Sequence, residues 1–288
     1  MKILLAIYVG IVPLAVSLAG DEVVDVRVVA ANLTCGRHPG YASVQEPEGA
    51  GARILQFLDP DVVLIQEFNT DIPVEAWVSE TFGDEFGFHR EDGDGIPNGV
   101  ISRFPIVESG EWDDPNLENR DLAWARIELP NGRMLWAISV HLYGKRSEGR
   151  VRAAEELVRA VQEMVPSEDL VILGGDFYTP SVQSPSIGVL AEAFVTRGPH
   201  PVDQLGDGDT NANRTKPYDW IVAEEELDVM AVPVVVAGDE FPHGLVFDSR
   251  AFRPLGLPVR KTDSDLFQMQ HMAVVRDFAI PALEPGGE

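Results

Sequence analysis

The sequence predicts an α/β protein in which two packed β-sheets are covered by helices, and three observations support this fold class. Apolar and β-branched runs of strand length recur from residue 23 to residue 278. The turn Asn131-Gly132 is typical of a hairpin between antiparallel strands. Helical periodicity between other runs, as at residues 148–164, indicates crossovers between parallel strands. Mixed sheets of this kind favour two packed sheets over one doubly wound parallel sheet.

Strands and helices alternate in the first part of the chain. Residues 23–31 (VVDVRVVAA) are β-branched and apolar, which predicts a buried strand that ends at Asn32. Residues 49–58 predict a helix that ends before Pro60, because proline cannot continue a helix. Residues 61–67 (DVVLIQE) predict a second strand with a carboxylate at its end. A helix is expected around residues 74–82, and short strands around 86–90, 97–102 and 122–128.

The second part of the chain begins after the hairpin turn. Residues 133–141 predict a strand that ends in His141, and residues 148–164 predict a helix that ends before Pro166. Residues 170–176 (LVILGGD) predict a buried strand with an acid at its end. The remaining expected elements are a helix at 185–196 and strands at 218–222, 230–236 and 272–278.

Polar residues mark one end of five predicted strands, namely Asn32, Glu67, His141, Asp176 and His271. Short loops held by a buried sheet are where chemistry is usually placed, so these strand ends are the candidate site. The first strand is not followed by a GxGxxG motif, and the chain has no Walker-type loop. These absences argue against a nucleotide cofactor.

The composition excludes a protein that holds nucleic acid through a broad basic surface. Asp and Glu number 47 and Lys and Arg 22 among 288 residues, which gives a formal net charge of −25 and a pI of ≈ 4.5. Nucleic-acid-binding domains with a basic surface usually have a pI above about 9. A phosphate can therefore bind only where the local electrostatic potential is positive. The single cysteine, Cys35, leaves no disulfide partner within the chain.

The first 19 residues predict a signal peptide. Lys2 precedes a nearly uncharged apolar run, and Ser17-Leu18-Ala19 is a small-x-small cleavage site. A membrane anchor is the alternative, but the run contains Pro13 and is shorter than the ~20 residues that span a bilayer. We therefore expect one domain over residues 20–288 that is secreted or periplasmic, monomeric and not stably associated with a membrane.

Seven motifs with a polar residue at or near a strand end follow one another along the chain. They are Asn32 in AANLT, Glu67 in DVVLIQEFN, residues 98–106 (NGVISRFPI), His141 in SVHLYG, Asp176 in GGDFYTP, Asp219 in RTKPYDWIV and His271 in MQHMAVVRDF. In this order, from about residue 25 to 279, the chain resembles the endonuclease/exonuclease/phosphatase superfamily. That superfamily includes pancreatic-type DNases, abasic-site endonucleases, bacterial sphingomyelinases and inositol-polyphosphate phosphatases. The resemblance implies a four-layer αββα sandwich.

The resemblance also implies metal-dependent phosphodiester hydrolysis. Glu67 would be the principal ligand of Mg²⁺, or of Mn²⁺, with Asn32 in support, because hard cations prefer oxygen ligands. His271 would be the general base, and His141 would bind the phosphate or protonate the leaving group. Asp219 would orient His141. Asp176 would hold the attacking water or a metal.

Further residues are candidates for contact with substrate phosphates. Arg103 lies in the SRFP segment, where a salt-bridged bend is the alternative. Three more candidates lie just before the Asp219 strand, where they could contact a phosphate at the strand end: Asn211, Asn213 and Arg214. Residues 91–95 and 207–209 resemble calcium loops without the terminal Glu of an EF-hand, so a structural Ca²⁺ is an alternative there to a solvated turn.

Two positions depart from the family pattern. The motif that is usually GDFN or GDLN reads Gly175-Asp176-Phe177-Tyr178, so a phenol replaces an amide that contacts substrate. The motif that is usually Ser-Asp-His reads Met269-Gln270-His271, so Gln270 would orient the histidine without a negative charge. Asp265, five residues before Gln270, is an alternative source of the missing carboxylate.

The resulting functional expectation is an exported, divalent-metal-dependent phosphodiesterase that acts as a nuclease on DNA, or on RNA as well. A phospholipase C of the sphingomyelinase type, or another phosphatase, is the alternative enzyme. A lipase of this kind needs an exposed apolar hairpin, which the scattered Trp112, Trp124 and Trp136 do not indicate. Tyr178 and Gln270 motivate a third alternative, a binding protein without catalysis on the same fold.

Overall fold

The computed structural model describes residues 23–35, 46, 48–93, 95–142 and 144–283. The expected signal peptide at residues 1–19 and its boundary with the domain lie outside this part of the chain. The helices are α1 (Ala50–Leu58), α2 (Val74–Phe82), α3 (Ser147–Met164), α4 (Pro185–Leu190) and α5 (Glu225–Asp228). The strands are β1 (Val23–Asn32), β2 (Val62–Gln66), β3 (Gly87–Arg90), β4 (Gly99–Ser102), β5 (Ile106–Trp112), β6 (Leu122–Glu128), β7 (Met134–His141), β8 (Leu170–Asp176), β9 (Asp219–Ala223), β10 (Ala231–Val232), β11 (Val234–Val236), β12 (Asp239–Phe241), β13 (Leu245–Phe247) and β14 (Ala273–Pro281).

Two large mixed sheets form the centre of the fold. One has the order β10-β14-β1-β2-β4-β3, with β13 also paired to β14, and the other has the order β5-β6-β7-β8-β9. The pairs β1/β2 and β7/β8 are parallel, and β6/β7 is the hairpin expected at Asn131-Gly132. The expectation of two mixed sheets is therefore confirmed.

Three apolar layers define the packing order. The outer face of the seven-stranded sheet packs against α1 and α2, for example through Ile54 and Trp77. The inner faces of the two sheets meet in a second layer that contains Leu64 and Ile172. The outer face of the five-stranded sheet packs against α3 and α4, for example through Leu157. The protein is an αββα sandwich, as the family resemblance implies.

Several elements differ from the prediction. The expected strand at 230–236 is divided at Pro233 into β10 and β11, because proline lacks the N–H that would continue a ladder. The expected helix at 185–196 ends at Leu190. The chain then forms turns closed by backbone hydrogen bonds between residues three apart, such as the bond from the N of Ala193 to the O of Leu190. Strands β5, β12 and β13 and helix α5 were not predicted: the residues of β5 are mostly exposed or half-buried and lack an apolar run, and the other three elements are only three or four residues long.

None of the helices among the described residues is both long and apolar enough to cross a bilayer. Cys35 is buried in the layer beneath α1, so it packs as a small apolar side chain.

Candidate active site

Strand pairing brings the polar strand ends of both sheets to one end of the sandwich. In the seven-stranded sheet, Asn32 is the register partner of Gln66, so Asn32 and Glu67 lie side by side. In the five-stranded sheet, Asp176 is the register partner of both His141 and Asp219. Residues that are far apart in the sequence thus converge, because the parallel strands β1/β2 and β7/β8 end at the same edge and β9, antiparallel to β8, begins there.

Asn32 links two carboxylates that belong to different sheets. Its Nδ2 donates to Oδ2 of Asp176 at 3.2 Å and to Oε1 of Glu67 at 3.5 Å. Its Oδ1 accepts a hydrogen bond from the backbone N of Thr34 at 2.9 Å, which fixes the amide. Asn32 is buried, so this bridge holds Glu67 and Asp176 at a common point.

The carboxylate of Asp219 pairs with His271. Nδ1 of His271 lies 2.9 Å and 3.1 Å from the two carboxylate oxygens of Asp219. The expectation that Asp219 orients His141 is therefore wrong. The orienting role expected of Gln270 also falls to Asp219, because Nδ1 of His271 faces that carboxylate. Asp265 is not needed as a substitute.

His141 lies on the other side of Asp176. Its Nε2 is 3.4 Å from Oδ2 of Asp176, and its Nδ1 is 4.0 Å from Oε1 of Glu67. Burial, together with the positive charge of Arg120 and His271, lowers the pKa of His141 well below its usual value. A neutral imidazole can donate or accept a hydrogen bond but does not readily give up a proton to a leaving group.

His271 is electrostatically the opposite of His141. Burial by itself lowers the pKa of His271, but the carboxylates of Asp219 and Asp176 outweigh it and raise the pKa to about 10. Burial and the neighbouring charges of Asp219 and Glu67 raise the pKa of Asp176 to about 7. The site therefore concentrates negative charge, and His271 is its main internal counter-ion among these residues.

The donor set fits a divalent cation. One ligand atom from each of Asp176, Asp219 and His271 lies within 4.8 Å of the others, and all three residues are buried. The Glu67 carboxylate joins this group through Asn32. Carboxylate oxygens brought together in a buried place repel each other, and a hard cation relieves that repulsion. Within this group Asp219 is paired with the imidazole of His271, so Asp176, together with the neighbouring Glu67, is the residue that would hold the cation.

Tyr178 has a role that the family motif does not suggest. Its backbone N donates to Oδ1 of Asp176 at 2.9 Å, while its ring stacks on Tyr218 with centroids 4.4 Å apart. The other side of the ring meets Gly144, where an added Cβ would lie 3.0 Å from ring atoms. Tyr218 in turn lies 6.2 Å from the ring of His271. Tyr178 thus forms part of a packed aromatic wall beside His271.

The backbone at two site residues is left-handed. Glu67 has φ 53° and Tyr178 has φ 51°. Bulky residues with positive φ are uncommon, and such strain is often found at functional sites. At position 178 an asparagine would adopt this conformation more easily, so the ring contacts with Tyr218 and Gly144 must stabilise the tyrosine.

Arg103 is not a phosphate ligand of this site. Ser102, which precedes it, is paired with Val62 at the start of β2, whereas Glu67 follows the other end of that strand. The Arg103 guanidinium is bonded to Asp59 and Asp61, each at 3.0 Å. The alternative of a salt-bridged bend is the one the structure shows.

Arg214 and Asn211 are also occupied within their own loop. The guanidinium of Arg214 contacts Asp203 and Asp248 at 2.9 Å and 3.0 Å, so it is engaged by carboxylates, and its contact with a phosphate stays a prediction. Oδ1 of Asn211 accepts from the backbone N–H groups of residues 215 and 216, so it closes the turn. Asn213 lies exposed on the same turn.

Of the two calcium-like loops, the structure describes residues 207–209 in full and residues 91–95 in part. The carboxylate of Asp207 pairs with Arg214 at 3.3 Å, and the carbonyl of Asp209 accepts from the same guanidinium, so an arginine supplies the positive charge there. In residues 91–95 Asp94 lies outside the described residues. Glu91 is only 1% exposed, and burial raises its pKa to about 7.

The structure adds residues that no motif indicated. Nε of Arg120 donates to the backbone O of His141 at 2.6 Å, and the charges of Asp176 and Glu67 act on this guanidinium. Nζ of Lys216 lies 3.4 Å from the phenol oxygen of Tyr218. Sequence reasoning missed both cations, although Lys216 lies within the RTKPYDWIV motif, because nothing local distinguishes them from a solvated arginine or lysine.

A cavity of about 840 Å³ lies elsewhere, along the edge of β9. It is lined by apolar residues together with His200, His243 and Arg276. Its lining includes Asp219 but neither Glu67, His141, Asp176 nor His271. The cavity is therefore not the place where the candidate catalytic groups meet.

Comparisons with known proteins agree with this geometry. The model of the Endonuclease/Exonuclease/phosphatase family matches residues 45–223. No curated protein matches the chain. Among solved structures, D. rerio TDP2 complexed with single-strand DNA product has a TM-score of 0.61 at 17% identity and covers 88% of this chain and 98% of its own.

Two bacterial structures extend the fold comparison. The endonuclease/exonuclease/phosphatase from Beutenbergia cavernae has a TM-score of 0.60 at 20% identity, covering 89% of this chain and 72% of its own. The mannosyl-6-phosphatase Bt3783 of Bacteroides thetaiotaomicron has a TM-score of 0.56 at 14% identity, covering 87% and 98%. These similarities show a shared fold. With the family match over more than half of its length, the chain belongs to the Endonuclease/Exonuclease/phosphatase family.

Proposed function

We propose that this protein is an exported, divalent-metal-dependent phosphodiesterase that hydrolyses DNA. The observation that carries the proposal is the convergence of Glu67, Asp176 and the Asp219–His271 pair, with His141 opposite, at one end of the sandwich. Acids that can hold a cation, beside two histidines in different protonation states, are the groups that phosphodiester hydrolysis requires.

His271 is the group that moves a proton. Asp219 fixes its tautomer by accepting from Nδ1, so Nε2 points toward Asp176 at 3.8 Å. His271 can act as a base only when the negative charge around Asp176 is neutralised, because that charge helps to raise its pKa. A cation bound by Glu67 and Asp176 would supply this neutralisation and would stabilise the charge of the phosphoryl transition state.

His141 binds instead of donating a proton. Because its pKa is well below the usual value, it is neutral at physiological pH and offers a hydrogen bond to a phosphoryl oxygen. Of the two roles that the family resemblance left open for this residue, the electrostatics favour phosphate binding. Arg120 reinforces this by adding positive charge behind His141.

The net charge of −25 is compatible with a DNA substrate only if binding is local. Among the described residues, Arg120 lies next to His141, while Lys216 and Arg150 act on Tyr218, and the excess of acids makes most of the remaining surface repel a phosphate backbone. We infer that the protein attracts one scissile phosphate and holds DNA weakly elsewhere. The single-strand DNA product named for D. rerio TDP2 lends some support to this substrate class.

A sphingomyelin substrate is the second candidate, and one observation favours it. The loop before His271 exposes Leu266 and Phe267, which a membrane surface could contact. The tryptophans give no such support: Trp124 and Trp136 stack with centroids 4.6 Å apart, and both are buried in the layer under α3.

The proposal is tested by incubating the full chain with plasmid DNA, RNA and sphingomyelin vesicles. Each substrate is combined with Mg²⁺, with Mn²⁺ and with a chelator. Wild type is compared with His271→Ala and with a matched control, His243→Ala, which changes an exposed histidine outside the site. DNA cleavage that requires metal and His271, but not His243, is the expected result.

Other outcomes identify the alternatives. DNA cleavage that survives both the chelator and the loss of His271 would overturn the mechanism. Cleavage of sphingomyelin but not of DNA would select the phospholipase. Metal binding without turnover of any phosphoester would select the non-catalytic binding protein.

A further inference from the structure

Thr210 makes hydrogen bonds to the backbone beside both members of the Asp219–His271 pair. Its Oγ1 accepts a hydrogen bond from the backbone N of Asp219 at 2.7 Å. Its carbonyl oxygen accepts from the backbone N of Met272, the neighbour of His271, at 2.8 Å. Asp219 opens β9 of the five-stranded sheet, and Met272 immediately precedes β14 of the seven-stranded sheet. One residue therefore bridges the two sheets at the point where Asp219 and His271 meet.

The turn that begins at Thr210 is tightly closed. The backbone N of Thr210 donates to the carbonyl of Lys216 at 2.9 Å. Inside the turn, Oδ1 of Asn211 accepts from the backbone N–H groups of Thr215 and Lys216 at 2.8 Å and 3.0 Å. Thr210 itself is only 1% exposed. Its position is thus determined by the turn and does not depend on solvent.

Arg214 fixes the same turn from the outside. Its Nε donates to the carbonyl of Asp209, the residue before Thr210. Its two other nitrogens contact the buried carboxylates of Asp203 and Asp248. Asp248 directly follows β13, which is paired with β14, so the ion pairs attach the turn to the sheet that carries His271.

We propose that Thr210 is a positioning residue that sets the relative placement of Asp219 and His271, and so the orientation of the imidazole. The inference rests on the proposed function. Asp219 opens a strand of the five-stranded sheet, and His271 lies two residues before β14 of the seven-stranded sheet, so their 2.9 Å contact depends on how the two sheets are held together at this point. A shift of about 1 Å in a catalytic group can cost roughly 10²-fold in rate. Loss of Oγ1 would also leave the N–H of Asp219 without its acceptor.

The test compares Thr210→Val, which keeps the shape but removes Oγ1, with Thr210→Ser, which keeps Oγ1. Thr81→Val is the matched control, since Thr81 is a buried threonine on α2 outside the site. We expect Thr210→Val to lower kcat by about 10- to 100-fold with KM within about twofold, and Thr210→Ser to restore most of kcat. Melting temperatures are measured in parallel, and Thr81→Val should keep the wild-type kcat.

A second readout does not require turnover. An imidazole N–H that is hydrogen-bonded to a carboxylate gives a downfield proton resonance, which is assigned to His271 by its loss in His271→Ala. This resonance should persist in Thr210→Ser and be lost or broadened in Thr210→Val. If Thr210→Val does not fold, Thr210→Cys, which keeps the volume and offers a weak acceptor, takes its place in the same spectrum.

An unchanged resonance together with a kcat like that of Thr81→Val would overturn the inference. So would equal losses of kcat in Thr210→Val and Thr210→Ser. If wild type cleaves no phosphodiester, the proposed function fails, and the resonance alone then decides the role of Thr210.

Discussion

Nδ1 of His271 lies 2.9 Å from the carboxylate of Asp219, although the two residues are 52 positions apart and lie next to strands of different sheets. This contact supplies the acid that is missing from the Met269-Gln270-His271 motif. The amide at position 270 therefore does not deprive the histidine of a charged partner. The chain thus departs from the family pattern in the residue at position 270, but His271 still has a carboxylate partner.

Asp219→Asn should lower kcat for DNA hydrolysis by about 10²-fold or more. An amide at this position no longer stabilises a charged imidazole and can favour the wrong tautomer of His271. The measurement is steady-state cleavage of DNA with Mg²⁺, with Asp265→Asn as the control acid. Gln270→Asp should not raise the rate, because the carboxylate role is already filled. A large gain in Gln270→Asp would contradict the assignment of Asp219 as the partner.

Tyr178→Asn, which restores the usual family residue, should lower kcat by up to about tenfold. The asparagine would remove the stack that holds Tyr218 beside His271. Tyr178→Phe keeps the ring and should remain within about threefold of wild type. Both variants are compared by kcat and KM. A faster Tyr178→Asn enzyme would mean that the family amide is a missing substrate contact and that the aromatic wall is dispensable.

Glu91→Gln should stabilise the protein at alkaline pH and have much less effect at acidic pH. Burial raises the pKa of Glu91 to about 7 in the folded state, from its ordinary value of 4.5. The folded protein therefore binds this proton more tightly than the unfolded chain, so the free energy of unfolding falls as pH rises from about 4.5 to 7. Glu91→Gln should therefore raise the free energy of unfolding, relative to wild type, by about 2 kcal/mol more at pH ~8 than at pH ~5.

Urea unfolding of wild type and Glu91→Gln at both pH values measures this difference. Glu108→Gln, an exposed residue of β5, is the control and should show no comparable dependence on pH. Equal stabilisation by Glu91→Gln at the two pH values would contradict a raised pKa at this residue.

DNA cleavage should be less sensitive to salt than cleavage by a basic nuclease. A protein that contacts few phosphates releases few counterions, so kcat/KM should fall less than about tenfold between roughly 50 and 200 mM salt. Hydrolysis of a small phosphodiester, bis(4-nitrophenyl) phosphate, controls for effects of salt on the catalytic groups. A steeper loss with DNA than this would indicate an extended electrostatic contact and contradict local binding.

The sequence determined most of the strands and the polar residues at their ends. Runs such as residues 61–67 and 170–176 are apolar enough to be buried strands in any context, so Glu67 and Asp176 were identifiable. Elements with weak local signals were less predictable. Strand β5 is largely exposed, and residues 230–236 contain a proline whose effect depends on which sheets lie nearby.

Only the tertiary structure decided which polar groups meet. Asp219 could serve His141 or His271, and Arg214 could bind phosphate or carboxylates. In the structure, Asp219 contacts His271 across the sandwich, and Arg214 contacts the carboxylates of Asp203 and Asp248. The physical reason is that a strand pattern defines which end of a strand a residue occupies, whereas contacts across the sandwich depend on how the sheets pack. Residues such as Thr210 and Arg120 act through those contacts, so no local pattern in the sequence marks them.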